Sequence, residues 1–471
     1  MIEFERALER VLVDKVAGCH GLQSARRLSG GASQETYAVE INTDNGIRKL
    51  AFRRAPGGEA DPTAYGRAGL NIEAQLIELA GQQGVPEPQV LFTLAPEDQL
   101  GVGFVMSWVD GETLGARICR KDDFASIRPQ LARQCGEILA RIHAIDVSAH
   151  GLDKTLETLN PRAFIEQQRE IYEGFQTPQP MIDYTARWLL EHLPDGGPLT
   201  LVHNDFRNGN LIVDPEQGVV AVLDWEVAHI GDPMRDLGWI CTNSWRFGVA
   251  DNEVGGFGHL ADLLAGYEAV SGRKIDHSIV RYWQVFGSYW WAIGCLSMFE
   301  HYRSGPDSTV ERPGIGRRSS ECQVDCVNLI MPGPVSLPEA VVDDESNMPR
   351  TAELIESVRD FLRHDVSAET QGRTHFLARV AANSLDIVSR ENSFGPAQET
   401  AEAERLRALL NERGSLETLR WSLCERLRAG TLALEDTRLI EHLRATVVAR
   451  VAIDQPNYSG FKRALESNVN V

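Results

Sequence analysis

The chain is short of positive charge: 47 Lys and Arg face 67 Asp and Glu, a formal net charge of -20. Gripping a phosphate backbone takes clustered Lys and Arg that release counterions, so the composition argues against a nucleic-acid partner. Cysteine is sparse as well. The residues at 19, 119, 135, 241, 295, 322, 326 and 424 are scattered like reduced intracellular thiols, not arranged as a disulfide framework. Cys322 and Cys326 stand one helical turn apart, with no second pair nearby to complete a tetrahedral metal site. A long uninterrupted apolar run is missing too. The most apolar stretch, Tyr282 to Phe299, is broken by Gln284, Gly287, Ser288, Gly294 and Ser297 and lacks basic anchors on both sides. It reads as a buried core helix and not as a membrane span. The opening M-I-E-F-E-R has neither the basic region nor the apolar run of a signal peptide, so a cytoplasmic protein is expected. No G-x-x-x-x-G-K-[ST] occurs, which removes a Walker-type nucleotide site.

What remains is a 471-residue chain, 43% hydrophobic, long enough for two or three domains. Residues 20 to 109 read as strand-rich. Ala38 to Ile41 and Leu50 to Arg53 flank a T-D-N-G turn, a hairpin signal. Asn71 to Ala80 carries apolar residues at helical spacing, and short apolar runs follow at Val90 to Leu94 and Gly103 to Val109. Residues 110 to 335 are mostly helical around a strand patch from Thr200 to Trp225, whose middle turn is D-P-E-Q-G. Pro332, Pro334 and Pro338 open a break, and Leu416, Leu419, Leu423 and Leu427 then recur at helical steps. The expected segments are 1–109, 110–335, a linker at 336–350 and an all-helical 351–471.

The chemistry concentrates in H-N-D-F-R-N-G-N, residues 203 to 210, and L-D-W-E, residues 223 to 226. Phosphoryl transfer needs a positioned hydroxyl, a base and a divalent cation to neutralise phosphate charge. Asp205 fits the base. Asn210, five residues on, and Asp224, at the next strand end, offer hard oxygens suited to Mg²⁺. A lone loop Asp usually caps a turn. Here His203, Asp205, Asn210, Asp224 and Asp236 occur in order with strands between them, which is more specific than any single residue.

H-x-D-x-x-x-x-N, a hairpin, D-W-E and then G-D-P-x-x-D-L resemble the aminoglycoside phosphotransferase family over residues 20 to 330. The resemblance implies an α+β, bilobal, protein-kinase-like fold: an antiparallel-sheet N-lobe and a helical C-lobe, here followed by an all-α domain. It implies ATP and Mg²⁺ as cofactors and a small-molecule hydroxyl as acceptor. It makes His203 structural and assigns Asp236 to the backbone N–H groups of the catalytic loop. Gly30, Gly31, Ala32 and Ser33 fall where that family has a phosphate loop, and Ser107 to Val109 fall at its inter-lobe hinge. For Trp108 a buried edge strand is the better reading. Arg53 and Glu73 occupy the places of the strand cation and its helix partner, where Lys is more general than Arg. Arg54 is the alternative phosphate ligand. Asn204 departs from the Gly common among relatives.

R-R-A-P-G-G at 53 to 58 and G-I-G-R-R-S-S-E at 314 to 321 resemble the subgroup fused to acyl-CoA dehydrogenases, which points to hydroxyacyl-CoA. An aminoglycoside acceptor and a nucleotide-binding regulatory module without transfer activity stand as alternatives. Arg317 and Arg318 could meet an anionic substrate or form a solvated helix face. The helical 351–471 resembles a domain found after such phosphotransferases, and dimerisation through it is the expectation.

Overall fold

The computed structural model describes residues 3–28, 34–59, 68–305, 307–340 and 348–466. The fold is α+β. A five-stranded antiparallel sheet is built from β1 (Cys19–Arg27), β2 (Glu35–Thr43), β3 (Gly46–Arg54), β4 (Val90–Thr93) and β5 (Gly103–Ser107), in the order β1-β2-β3-β5-β4. The T-D-N-G segment closes the β2–β3 hairpin. Thr43 pairs with Gly46, the Thr43 hydroxyl donates to the Gly46 carbonyl at 2.7 Å, and Gly46 takes φ +100°, a conformation that costs glycine little.

Strand alternation gives the sheet two different faces. Val39, Ile41, Leu50, Phe52 and Val105 form one face and pack on Leu8, Val11 and Leu12 of the helix Glu3–Lys15. This helix was absent from the strand-first expectation. Its apolar stripe covers the outer face and leaves the opposite face for other use. On that inner face Ala38 opposes Ala51 and Thr36 opposes Arg53, with Met106 beside Ala51. The helix Leu70–Gln82 follows β3, close to the expected 71–80 span.

The Thr200 to Trp225 patch resolves into β6 (Thr200–Val202), β7 (Leu211–Asp214) and β8 (Gly218–Val222), and a further strand, β9 (His229–Gly231), pairs with β6. In the D-P-E-Q-G turn, Asp214 Oδ1 accepts from the backbone N–H groups of Glu216 and Gln217 at 2.8 and 2.9 Å. Below this patch the helices Arg128–His143 and Leu260–Ser271 run in close contact. A Cβ on Gly136 would stand 2.0 Å from the Leu263 carbonyl oxygen, so glycine is what permits the approach.

The chain divides into two compact units, residues 1–160 with 196–280, and residues 161–195 with 281–471. Packing therefore groups residues differently from the expected segments, which followed element composition. In the second unit the helices Leu416–Arg428 and Thr437–Asp454 share one core with Pro180–Glu191 and Ser319–Ile330. Trp283, Phe286 and Tyr289, from the most apolar stretch, are at most 1% exposed. Among the described residues no helix is long and apolar enough to cross a membrane.

Candidate active site

The first unit brings Asp205, Asn210, Asp224, Arg53 and Glu73 together. The loop after β6 is anchored from beneath. Asp236 accepts the backbone N–H groups of His203 at 2.8 Å and Asn204 at 2.7 Å, and its third contact is His143 Nε2 at 3.1 Å. Burial alone would raise the Asp236 pKa, but the His143 hydrogen bond and the backbone donors hold it low. His203 is fully buried. Its Nε2 donates to the Leu223 carbonyl at 3.1 Å and its Nδ1 accepts from the Asp205 N–H at 3.2 Å. Burial lowers its pKa, so a neutral imidazole joins the loop to the end of β8.

Asn204 adopts φ +64°, the left-handed region open to Gly and tolerated by Asn. A requirement for positive φ explains both the usual glycine and this departure from it. Asp205 is held from three sides: Oδ1 accepts from Arg207 Nε at 3.0 Å and Trp239 Nε1 at 2.9 Å, and Oδ2 from Asn210 Nδ2 at 2.6 Å. Its side chain keeps 16% exposure, whereas that of Asp236 has none. That contrast separates a carboxylate able to meet a ligand from one committed to the scaffold. The Asn210 amide nitrogen is spent on Asp205, which leaves its oxygen as the atom that could hold a metal.

Asp224, also at positive φ (+71°), accepts from Arg53 Nη2 at 2.6 Å. Arg53 Nε stands 3.1 Å from Glu73, and Nη2 stands 3.7 Å from Glu226. Three carboxylates surround one guanidinium, and their field keeps Arg53 charged in spite of burial. Burial pushes the Glu73 carboxyl up, against the pull of Arg53. Arg54 points to the outer face, with Nε 2.8 Å from Glu35 and the guanidinium 4.3 Å from the Phe4 ring centroid. The alternation of β3 thus assigns Arg53, not Arg54, to the site. The P-G-G of the R-R-A-P-G-G segment packs against Leu100 and Gly101: Gly58 O accepts from Val102 N at 3.0 Å.

At the end of β5 the Ser107 N–H donates to the Gln89 carbonyl at 2.8 Å, and the Ser107 hydroxyl accepts from the Gln89 N–H at 2.9 Å. Ser107 therefore has no N–H to offer a ligand. Trp108 and Val109 lie beyond the strand and are half-buried. Trp108 borders a cavity of about 250 Å³ on the inner face with Ala38, Glu40 and Lys49. Gly30, Gly31, Ala32 and Ser33 lie outside the described residues. Arg207, Trp239, Glu226 and His143 were missed by the motif reading. Arg207, two residues after Asp205 in H-N-D-F-R-N, and Glu226, two residues after Asp224 in L-D-W-E, carried a local signal; Trp239 and His143 reach the site only through the fold.

All donors at Asn210 and Asp224 are oxygens, the set a hard cation takes. Among the described residues no group of three or more His, Cys, Asp or Glu could hold a metal ion by itself. Residues 24–272 match the Phosphotransferase enzyme family (APH). The chain belongs to this family. Residues 368–458 match a domain of unknown function, DUF6285. Over its phosphotransferase stretch the chain is 31% identical, across 247 residues, to mouse acyl-CoA dehydrogenase family member 10; the match covers 50% of this chain and 22% of that protein. Chicken acyl-CoA dehydrogenase family member 11 is 29% identical over 227 residues, covering 46% and 28%. The chain thus spans less than a third of the length of these relatives. A solved Ralstonia eutropha structure assigned to the aminoglycoside phosphotransferases covers 69% of this chain and 97% of its own, with a TM-score of 0.54 and 22% identity. That likeness is one of fold.

Proposed function

We propose that this phosphotransferase moves the γ-phosphate of ATP to a hydroxyl of a small molecule. The observation that carries the reading is Asp205, fixed through both oxygens yet still open to a ligand, beside Asn210 and Asp224. In this reading the acceptor hydroxyl gives its proton to Asp205 as its oxygen bonds to the γ-phosphorus, and the bond to the β-phosphate oxygen breaks to release ADP. Asn210 and Asp224 hold Mg²⁺, which when bound neutralises phosphate charge. Arg53, paired with Glu73, would hold the phosphates, and the small side chains of Ala38 and Ala51 would leave room for a flat ring on the inner face of the sheet. His203 and Asp236 keep the loop in shape.

The proposed acceptor is a hydroxyacyl-CoA, supported by the likeness of this stretch to acyl-CoA dehydrogenase family members. The test is Asp205→Asn, assayed by mass spectrometry against hydroxyacyl-CoAs, aminoglycosides, choline and sugars with Mg·ATP. Turnover should fall by about 10²- to 10⁴-fold while Mg·ADP affinity stays near the wild-type value. Undiminished turnover would overturn the base. Phosphorylation of an aminoglycoside with no acyl-CoA product would overturn the acceptor.

A further inference from the structure

The second unit holds a cavity of about 240 Å³ between the helices Gly372–Leu410, Leu416–Arg428 and Thr437–Asp454. Its polar lining comes largely from the stretch matched to the domain of unknown function. His442 lines it. The ring is 1% exposed, and neither nitrogen has a hydrogen-bond partner among the described residues. A buried imidazole with both nitrogens unmatched is a costly arrangement, and such a group in a native fold calls for a partner. The cavity exceeds the space of a single water.

Three arginines and three glutamates line it, but they are not all paired directly. Arg420 forms two hydrogen bonds to Glu402, at 2.8 and 2.6 Å. Arg450 is paired with Glu391 at 2.8 Å and Asp454 at 3.1 Å. Arg405 differs: its Nη2 reaches only the Thr446 hydroxyl, at 3.2 Å, and its Nε is buried without a partner. Among the described residues no carboxylate stands at ion-pairing distance from Arg405. Glu399, which also lines the cavity, is exposed. Arginine has only donors, so a ligand that satisfies it presents acceptors, and negative charge suits a guanidinium that feels Glu402 only at a distance and has no direct ion pair. Burial together with Arg405 and Arg420 keeps His442 neutral, with its pKa near 3, so the ring supplies one N–H beside the guanidinium.

We propose that this cavity binds a small oxyanion, the carboxylate or phosphate group of a metabolite, between Arg405 and His442. It is a ligand site separate from the phosphotransferase residues. The probes are inorganic phosphate and acetate, titrated into the full chain while the His442 ring protons are followed by NMR. The resonance is assigned by its loss in His442→Gln. A saturable shift is expected with at least one probe, and Arg405→Gln should weaken that affinity by about tenfold or more, the scale of a lost charge-assisted hydrogen bond. A shift with phosphate alone identifies a phosphate ligand, and a shift with acetate alone a carboxylate. A His442 resonance unmoved by either probe overturns the proposal, as does an Arg405→Gln protein that binds like wild type. If Arg405→Gln does not fold, the wild-type titration decides the matter by the same criterion.

Discussion

At the scale of single residues, the site depends on a few backbone and protonation states that the motif alone leaves undefined. Asn204 shows this. The sequence marks it as a departure from glycine, and its φ of +64° shows why the departure is tolerated. Asn204→Gly should retain activity and change the unfolding free energy by no more than about 1 kcal/mol. Asn204→Val, which places a branched Cβ in the left-handed region, should cost at least about 1–2 kcal/mol; urea midpoints of the two variants separate these outcomes. His229 supports a second prediction. Burial pushes its pKa down to about 4, whereas the unfolded chain takes up the proton near 6.5. The unfolded state thus binds more protons between those values, and stability is lost as pH falls from about 6.5 towards 4. In His229→Gln the difference in unfolding free energy between pH 7 and pH 5 should shrink by about 1–2 kcal/mol. An unchanged difference would show that His229 is not the group responsible.

At the scale of elements, legibility followed length and periodicity. The β2–β3 hairpin was readable because T-D-N-G fixes the turn and the flanking residues alternate. The loop after β6 was readable because His203, Asp205 and Asn210 lie within an eight-residue span. β9 has three residues, too few to show a period. The contacts of Trp239 and His143 with Asp205 and Asp236 bridge 34 and 93 residues, a link that only the fold makes. The helix Glu3–Lys15 was missed for a different reason: its Leu8, Val11 and Leu12 stripe is plain only once the sheet face that it covers is known. Leu8 and Leu12 are fully buried. Leu12→Ala should therefore cost about 2–5 kcal/mol, the usual range for a buried leucine truncated to alanine. The loss falls on the outer face, away from Ala38, Ala51 and Arg53, so Mg·ADP affinity well below the unfolding temperature should stay within a few-fold of wild type. Calorimetry on Leu12→Ala checks both halves. A large affinity loss in the folded variant would mean that the two faces are coupled.

At the scale of the molecule, the surprise is where the second unit draws its core from. The proline-rich break that opens at Pro332 suggested a linker before a C-terminal helical domain, because proline and unpaired acids interrupt helices. Periodicity cannot reveal which earlier helices the later ones pack against. In the structure Met181, Tyr184, Val324 and Val327 are at most 3% exposed within the same cluster as Leu419, Leu423, Leu443 and Val447. The Tyr184 hydroxyl donates to the Leu434 carbonyl at 3.1 Å, and Asp183 accepts from Arg428 Nε at 2.6 Å. Ending the chain at residue 350 would uncover those four apolar side chains, at about 1.5–3 kcal/mol each. It would also leave Asp183 without its cation, a loss of about 3–5 kcal/mol for a buried pair. The sum is comparable with the whole stability of a typical domain, about 5–15 kcal/mol. The truncated chain should therefore lose the cooperative transition of the second unit and bind a hydrophobic dye. Arg428→Met in the full chain should lower the unfolding free energy by less than the truncation does, because the apolar core is kept. A truncated chain that unfolds as cooperatively as the full one would show that residues 351–471 fold as an independent body after all.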